Sequence, residues 1–258
     1  MRGAEAAAGG EARLRLPGFV RGLLFDLDGV LTDTARLHAT AWKETFDRLL
    51  AELAERDERR FVAFSESDYE RYVDGRPRDE GVESFLASRR ISLPSGTAGD
   101  PASALTVHGV ANAKNERFLE AVSAGGVVLF PGSARLVALA RSAGMRTAVV
   151  TSSANAPAIL VAAGLEGAFD AVVDGNVAAA RSLAGKPAPD TFLAAASDLG
   201  IPPAAAAVFE DALAGIEAGR AGGFGLVVGV DRRDEADALY ASGADVVVSD
   251  LGELVEEG

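Results

Sequence analysis

The apolar run Gly22-Leu23-Leu24-Phe25 breaks directly into Asp26-Leu27-Asp28-Gly29-Val30-Leu31-Thr32, which places two carboxylates where a hydrophobic segment meets glycine. An unbroken apolar run of this kind is expected of a parallel strand covered on both faces. In open α/β sheets, ligands bind beyond the carboxyl ends of such strands. Two anions at a strand end call for a cation. Mg²⁺, which takes oxygen ligands and shares them with phosphates, suits them, so phosphoryl chemistry is the first reading. The alternative is a strand followed by an ordinary Asp-Gly turn, a common string at turns.

Beyond that motif the texture turns helical. Trp42, Phe46, Leu49, Leu50 and Leu53 recur at helical spacing, with Lys43, Glu44, Asp47, Arg48 and Glu52 opposite them. Tyr69, Tyr72 and Val73, then Val82, Phe85 and Leu86, repeat the period. Residues 92–101 are rich in Pro, Gly, Ser and Thr and read as a loop before a further helix around Asn115 to Val122. From Gly125 onward, apolar runs at 147–150, 171–173, 207–209, 225–230 and 245–248 alternate with Ala- and Leu-rich helical stretches. That alternation gives βαβ units and a parallel sheet with helices on both faces. The fold class is therefore α/β, a Rossmann-like parallel-sheet core with an inserted all-helical domain. The expected division is core over 1–34 with an N-terminal extension, helical insertion over 35–123, and core again over 124–258. Residues 51–64 and 92–107 make the insertion longer than a compact one requires.

Composition narrows the partners. The chain has 258 residues, 48% hydrophobic and 24% charged, enough to bury a sizeable core. Its net charge of -13 argues against nonspecific attraction to nucleic acid or an anionic membrane, so an anionic substrate must be caught locally. With no cysteine there are no disulfides and no thiolate metal sites. Residues 1–10 lack an apolar targeting core, and no run is long enough to span a bilayer, which reads as a soluble cytoplasmic protein.

Three later strand ends carry polar groups suited to a phosphate. Val149-Val150 leads into Thr151-Ser152-Ser153-Ala154-Asn155 and a helix start with Pro157, where backbone N–H groups favour an anion. A plain helix cap explains the same residues, and both readings hold together. Lys186, between Gly185 and Pro187, is a cation placed to neutralise charge on a transferring group, or else a solvated loop lysine. Glu210-Asp211 adds two acids able to complete a metal site with Asp26, or else to favour a helix N-terminus.

Acids, hydroxyl, lysine and acids again, each at the end of an expected strand, resemble the four motifs of the haloacid dehalogenase superfamily: Asp26-Leu27-Asp28-Gly29-Val30, Thr151-Ser152, Lys186 and Glu210-Asp211. The resemblance implies an aspartyl-phosphate mechanism in which Asp26 attacks phosphorus, Asp28 exchanges the proton, and Thr151 and Lys186 stabilise the transferring group. It implies Mg²⁺ held by Asp26, Asp211, the main-chain carbonyl of Asp28 and Glu210. The insertion looks like the superfamily's cap domain. Within it, Thr34, His38, Ala41-Trp42-Lys43, Gly75-Arg76-Pro77-Arg78 and Lys114-Asn115 are similar to the β-phosphoglucomutase family. On that resemblance Thr34 is the hinge, Arg78 with Gly75 grips the nontransferring phosphate, and His38 with Lys114 senses closure and positions Asp28. Ser152, Ser153 and Asn155 contact substrate phosphate, although a lysine often stands where this chain has Ala154. Trp42 is a core residue or a sugar platform, His38 a ligand or a structural histidine, and His108 structural.

The function implied is interconversion of β-D-glucose 1-phosphate and glucose 6-phosphate through glucose 1,6-bisphosphate by a monomer. A Mg²⁺-dependent sugar-phosphate phosphatase with the same core is the alternative, differing in accepting water. A receiver-like signalling module would carry its phosphoacceptor after a later strand and have no large insertion. A noncatalytic sugar-phosphate binder requires one of the four motifs to have failed.

Overall fold

The computed structural model describes residues 12–74 and 76–256. The central strand is β2 (Gly22–Phe25), after a two-residue β1 (Arg13–Leu14). The later strands are β3 (Arg146–Val150), β4 (Ala171–Val173), β5 (Ala206–Glu210), β6 (Leu226–Val230), β7 (Val246–Val248) and β8 (Val255–Glu256). Six of them form one parallel sheet in the order β4-β3-β2-β5-β6-β7, while β1 and β8 pair antiparallel beside it. The chain winds outward from β2 to β4, then returns to the other side for β5 to β7. That order reverses between β2 and β5, and a ligand crevice lies at such a reversal.

The alternation within each strand builds two cores. Leu23, Phe25, Val149, Ala207, Phe209 and Val228 face one layer. Leu24, Ala148, Val150, Val208 and Val227 face the other. Phe25 lies opposite Phe209 in the β2–β5 register, and their rings stack with centroids 4.7 Å apart. This packing fixes the two strand ends against each other.

The insertion is built on α1 (Ala35–Asp57), α2 (Glu66–Tyr72), α3 (Arg78–Ser88) and α4 (Val107–Ala121). Residues 51–57 thus continue α1 and are not a separate excursion. Trp42, Phe46, Leu49, Leu50 and Leu53 of α1 join Phe64, Val82, Phe85 and Val110 in a third apolar cluster. Phe46 is its centre, with ring centroids 4.1 Å from Phe85 and 5.0 Å from both Trp42 and Phe64. Helix α4 begins at Val107, earlier than the apolar period suggests, because the Thr106 hydroxyl caps it by accepting the Gly109 N–H. The loop before α4 is pinned rather than free: Asp100 accepts from Thr97 and Thr106, and Asn112 donates to the Ala98 and Asp100 carbonyls. The chain returns to the sheet through Val122–Gly126, where Gly125 adopts φ 81°.

The remaining helices, α5 (Pro131–Ser142), α6 (Ala156–Ala162), α7 (Gly175–Ala180), α8 (Asp190–Leu199), α9 (Leu213–Ala221) and α10 (Ala236–Ser242), follow the strands as crossovers. Among the described residues, no helix is long and apolar enough to cross a membrane.

Candidate active site

Asp26 follows β2 directly, and its N–H donates to the Phe209 carbonyl, so the β2–β5 ladder positions the carboxylate. Glu210 ends β5, and its Oε2 accepts the Ala212 N–H. Lys186, from the α7–α8 loop, reaches between them and donates to Asp26 Oδ1 and Glu210 Oε1, each at 2.5 Å, and to the Val150 carbonyl at 3.3 Å. Asp211 completes the group: ligand oxygens of Asp26, Glu210 and Asp211 lie within 4.8 Å of one another.

One ammonium does not neutralise three carboxylates. Burial, with Glu210, Asp28 and Asp211 adding repulsion, pushes the Asp26 carboxyl well up despite the opposing pull of Lys186. Burial and then Glu210 push Asp211 up to about 8. Lys186 moves up as well, because Asp26 and Glu210 together outweigh its desolvation. Three clustered carboxylates with a deficit of positive charge fit a hard divalent cation.

Asp28 belongs to a different set. Its Oδ1 accepts a short hydrogen bond from the Thr34 hydroxyl, and its Oδ2 accepts from Thr151 at 3.4 Å. His38 Nε2 stands 3.6 Å from Oδ1, just outside hydrogen-bond range. On the far side of the ring, Lys114 Nζ lies 2.6 Å from His38 Nδ1. Burial would raise the Asp28 carboxyl, but His38 and Thr34 together bring it below its ordinary value. Burial and then Lys114 lower His38, which is therefore neutral near pH 7. With Lys114 donating into Nδ1, the remaining ring proton sits on Nε2, facing Asp28. Lys114 is 1% exposed, and burial followed by repulsion from Arg78 pushes its ammonium down to about 7.

Both sets open onto one cavity of about 580 Å³ between the sheet and the helical insertion. Arg78 lines it, with Nη1 buried and without a protein partner. Ser152, Ser153 and Asn155 line it from the sheet side. Asn155 does not cap α6; its Nδ2 donates to Asn115 Oδ1 of the insertion at 2.8 Å. Trp42 is at once core and wall: it is 4% exposed and stacked on Phe46, yet it borders the cavity. His108 also lines it, although no motif singled it out. Gly75 lies outside the described residues.

Asp74, Tyr69, Arg232 and Arg233 belong to none of the motifs. Arg233 Nη2 donates to Asp74 Oδ2 at 3.0 Å across the cavity mouth. Arg232 donates from Nε to the Gly29 carbonyl at 2.8 Å. A usable signal for the two arginines exists all the same, since both follow β6 at the same carboxyl edge of the sheet as the motifs.

Comparison with known proteins agrees with this geometry. The chain is 51% identical over 246 residues to a β-phosphoglucomutase of Mycobacterium tuberculosis, covering 94% of each. A mutant of CbbY from Rhodobacter sphaeroides in complex with xylulose-(1,5)bisphosphate superposes with TM-score 0.70 at 28% identity, covering 91% of this chain and 96% of that one. A β-phosphoglucomutase from Clostridium difficile shares the fold, with TM-score 0.72 at 23% identity over 91% and 93% of the two chains. Three of the four motifs end strands, whereas Lys186 lies between two helices and reaches the same crevice from there; with these motifs converging and the haloacid dehalogenase-like hydrolase model matching residues 20–223, the chain belongs to that family of enzymes.

Proposed function

We propose that this enzyme is a β-phosphoglucomutase, moving a phosphoryl group between C1 and C6 of β-D-glucose through glucose 1,6-bisphosphate. The observation that carries the reading is that one cavity holds two anion-seeking ends. Asp26, Thr151 and Lys186 lie at one, and the partnerless guanidinium of Arg78 lies at the other. A substrate with a phosphate at each end needs both. The mycobacterial relative's name supports the same substrate. In this reading residues 35–123 are the cap, and 1–34 with 124–258 are the core.

The enzyme rests with Asp26 phosphorylated. The C6 hydroxyl of β-glucose 1-phosphate attacks phosphorus as the bond to the Asp26 oxygen breaks, and Asp28 takes the hydroxyl proton. The bisphosphate turns round in the cavity. Asp26 then attacks the C1 phosphoryl group, Asp28 returns its proton to the C1 oxygen, and glucose 6-phosphate leaves. An Asp28 carboxyl held below its ordinary value is ionised at neutral pH and so free to accept the hydroxyl proton in the first step. Lys114 and His38 orient it, while Thr151 and Lys186 bear on the transferring group.

Asp26, Glu210, Asp211 and the Asp28 carbonyl would hold Mg²⁺. Bound there, the ion supplies charge neutralisation for the transferring phosphoryl group.

The test is ³¹P NMR of the purified chain with Mg²⁺, β-glucose 1-phosphate and a trace of glucose 1,6-bisphosphate. Stoichiometric glucose 6-phosphate, lost in Asp26→Asn, is the expected result. Free phosphate as the main product would make the enzyme a phosphatase.

A further inference from the structure

Among the described residues, a charged contact joins the helical cap to the sheet at the rim of the cavity. Arg233 Nη2 donates to Asp74 Oδ2 at 3.0 Å. Both residues line the cavity, Arg233 from the loop after β6 and Asp74 from the segment that leads to Arg78. Building on the mutase reading, we infer that the Arg233–Asp74 pair is a positioning latch that holds the cap closed during transfer and so decides how much phosphoryl group is lost to water.

Each half of the latch has a fixed base. On the core side, Asp231 accepts the N–H groups of Arg233 and Glu235 at 3.2 and 2.9 Å, which shapes the loop. The neighbouring Arg232 is immobilised over the Phe130 ring at 3.7 Å and donates to the Ser249 carbonyl as well as to Gly29. Gly29 directly follows Asp28, so the loop that reaches the cap with Arg233 holds the catalytic turn with the arginine before it. On the cap side, burial and then the nearby Asp74 charge push the Tyr69 hydroxyl up, which places the phenol beside that carboxylate. The Asp74 N–H donates back to the Tyr69 carbonyl at 2.9 Å. Opening the cap must separate Arg233 from Asp74, whereas neither base has to change.

The pair is also suitably weak. Its side chains are 44% and 30% exposed, so water and salt screen it and product release is not blocked. A buried pair here would trap the sugar. What an exposed pair of this kind can shift is a closed-to-open ratio, by about two- to fivefold.

The test compares the full-length wild-type chain with Arg233→Asp, Asp74→Arg and the double charge swap, with Arg233→Lys as the conservative variant. Arg181→Gln, which breaks a pair with Asp198 away from the cavity, is the control. With Mg²⁺, β-glucose 1-phosphate and a trace of the bisphosphate, the ratio of free phosphate to glucose 6-phosphate is read by ³¹P NMR. The expected result is a rise of about two- to fivefold in each single reversal, recovery in the double swap, and wild-type behaviour in Arg233→Lys and Arg181→Gln. Added salt should raise the ratio in wild type and lower it in Arg233→Asp, where it screens the new repulsion from Asp74. A double swap no better than either single variant, or single variants equal to wild type, overturns the latch. If wild type makes no glucose 6-phosphate, the mutase reading has failed separately, and the latch is then judged on substrate-free protein by amide hydrogen exchange. Faster exchange over residues 69–74 and 231–235 in the single variants, restored in the swap, upholds it. Unchanged exchange sinks it.

Discussion

The Lys114 ammonium lies 2.6 Å from His38 Nδ1 and is enclosed by the rings of Trp42 and Phe118, 5.2 and 4.8 Å from their centroids. The ring faces favour a cation, yet burial and then repulsion from Arg78 outweigh them and disfavour the lysine charge. With its titration near 7 in the folded chain and about 10.4 in an unfolded one, the unfolded state binds more protons across that window. The cost of the buried charge is therefore fully present below pH 7 and fades as pH rises toward 10. Activity runs the other way, since a neutral amine can accept as well as donate and so no longer fixes the His38 tautomer.

Wild-type kcat/KM is accordingly expected to fall above about pH 7 while the stability contribution of this site improves. Lys114→Met should lower kcat/KM by about 10²- to 10³-fold and be more stable than wild type at pH 6, with the difference shrinking by pH 9. Denaturant titrations of both proteins at the two pH values check this. A Lys114→Met variant less stable than wild type at pH 6 contradicts it.

A second prediction concerns Mg²⁺. Burial and Glu210 raise Asp211 to about 8, so the folded protein holds a proton there that the unfolded chain gives up near pH 4. Without a divalent ion, this group's contribution to stability declines between about pH 4 and 8 and is lost above that. A cation favours the ionised cluster, so added Mg²⁺ should raise Tm more at pH 8 than at pH 6. At a hundredfold excess over Kd the gain is about 2.7 kcal/mol. Chelator should reverse it, and Asp211→Asn should abolish it. An equal shift at both pH values in calorimetry would count against the cluster as the binding site.

Much of this site is legible in the amino-acid sequence. Asp26, Thr151 and Glu210 each sit where an apolar run ends, and in a parallel sheet those ends share one edge, so the three must meet once the strands are placed, whereas Lys186 comes from a loop between helices. Local rules are weaker where one hydroxyl decides a boundary: Thr106 starts α4 well before its apolar period begins. Long-range pairings are invisible for a different reason. Nothing near Asp74 in sequence points to Arg233, because the contact depends on how two separately folded layers dock. Trp42 shows the limit of periodicity, which detects burial but not that one edge of a buried ring also faces a cavity.

Glycine at position 29 is required twice. Its φ is 91°, and an added Cβ would collide with the Asp211 carboxylate. Gly29→Ala should therefore cost about 1–3 kcal/mol in denaturant unfolding and weaken Mg²⁺ binding by displacing a ligand. Gly144, at φ 71° with open space around it, isolates the backbone part. Gly144→Ala should cost about 1–2 kcal/mol and leave Mg²⁺ affinity unchanged. Equal Mg²⁺ affinity in Gly29→Ala would show that Asp211 has room to move.

Arg78 and Lys114 are coupled through charge, and this gives the most discriminating prediction. After burial, Arg78 is the largest cause of the low Lys114 titration. Arg78→Ala should raise the sugar-phosphate KM by about 10- to 100-fold, the loss expected of a charge-assisted hydrogen bond. It should also free Lys114 from that repulsion, so the alkaline fall in kcat/KM moves above pH 7. Arg78→Lys keeps a positive charge without the planar fork, so its KM should still rise while the pH limb stays near its wild-type position. The two readouts separate recognition of the distal phosphate from the electrostatic tuning of the proton-exchanging end. A pH profile of Arg78→Ala superimposable on wild type would leave burial alone to explain the Lys114 titration, and the two ends of the cavity would then act independently.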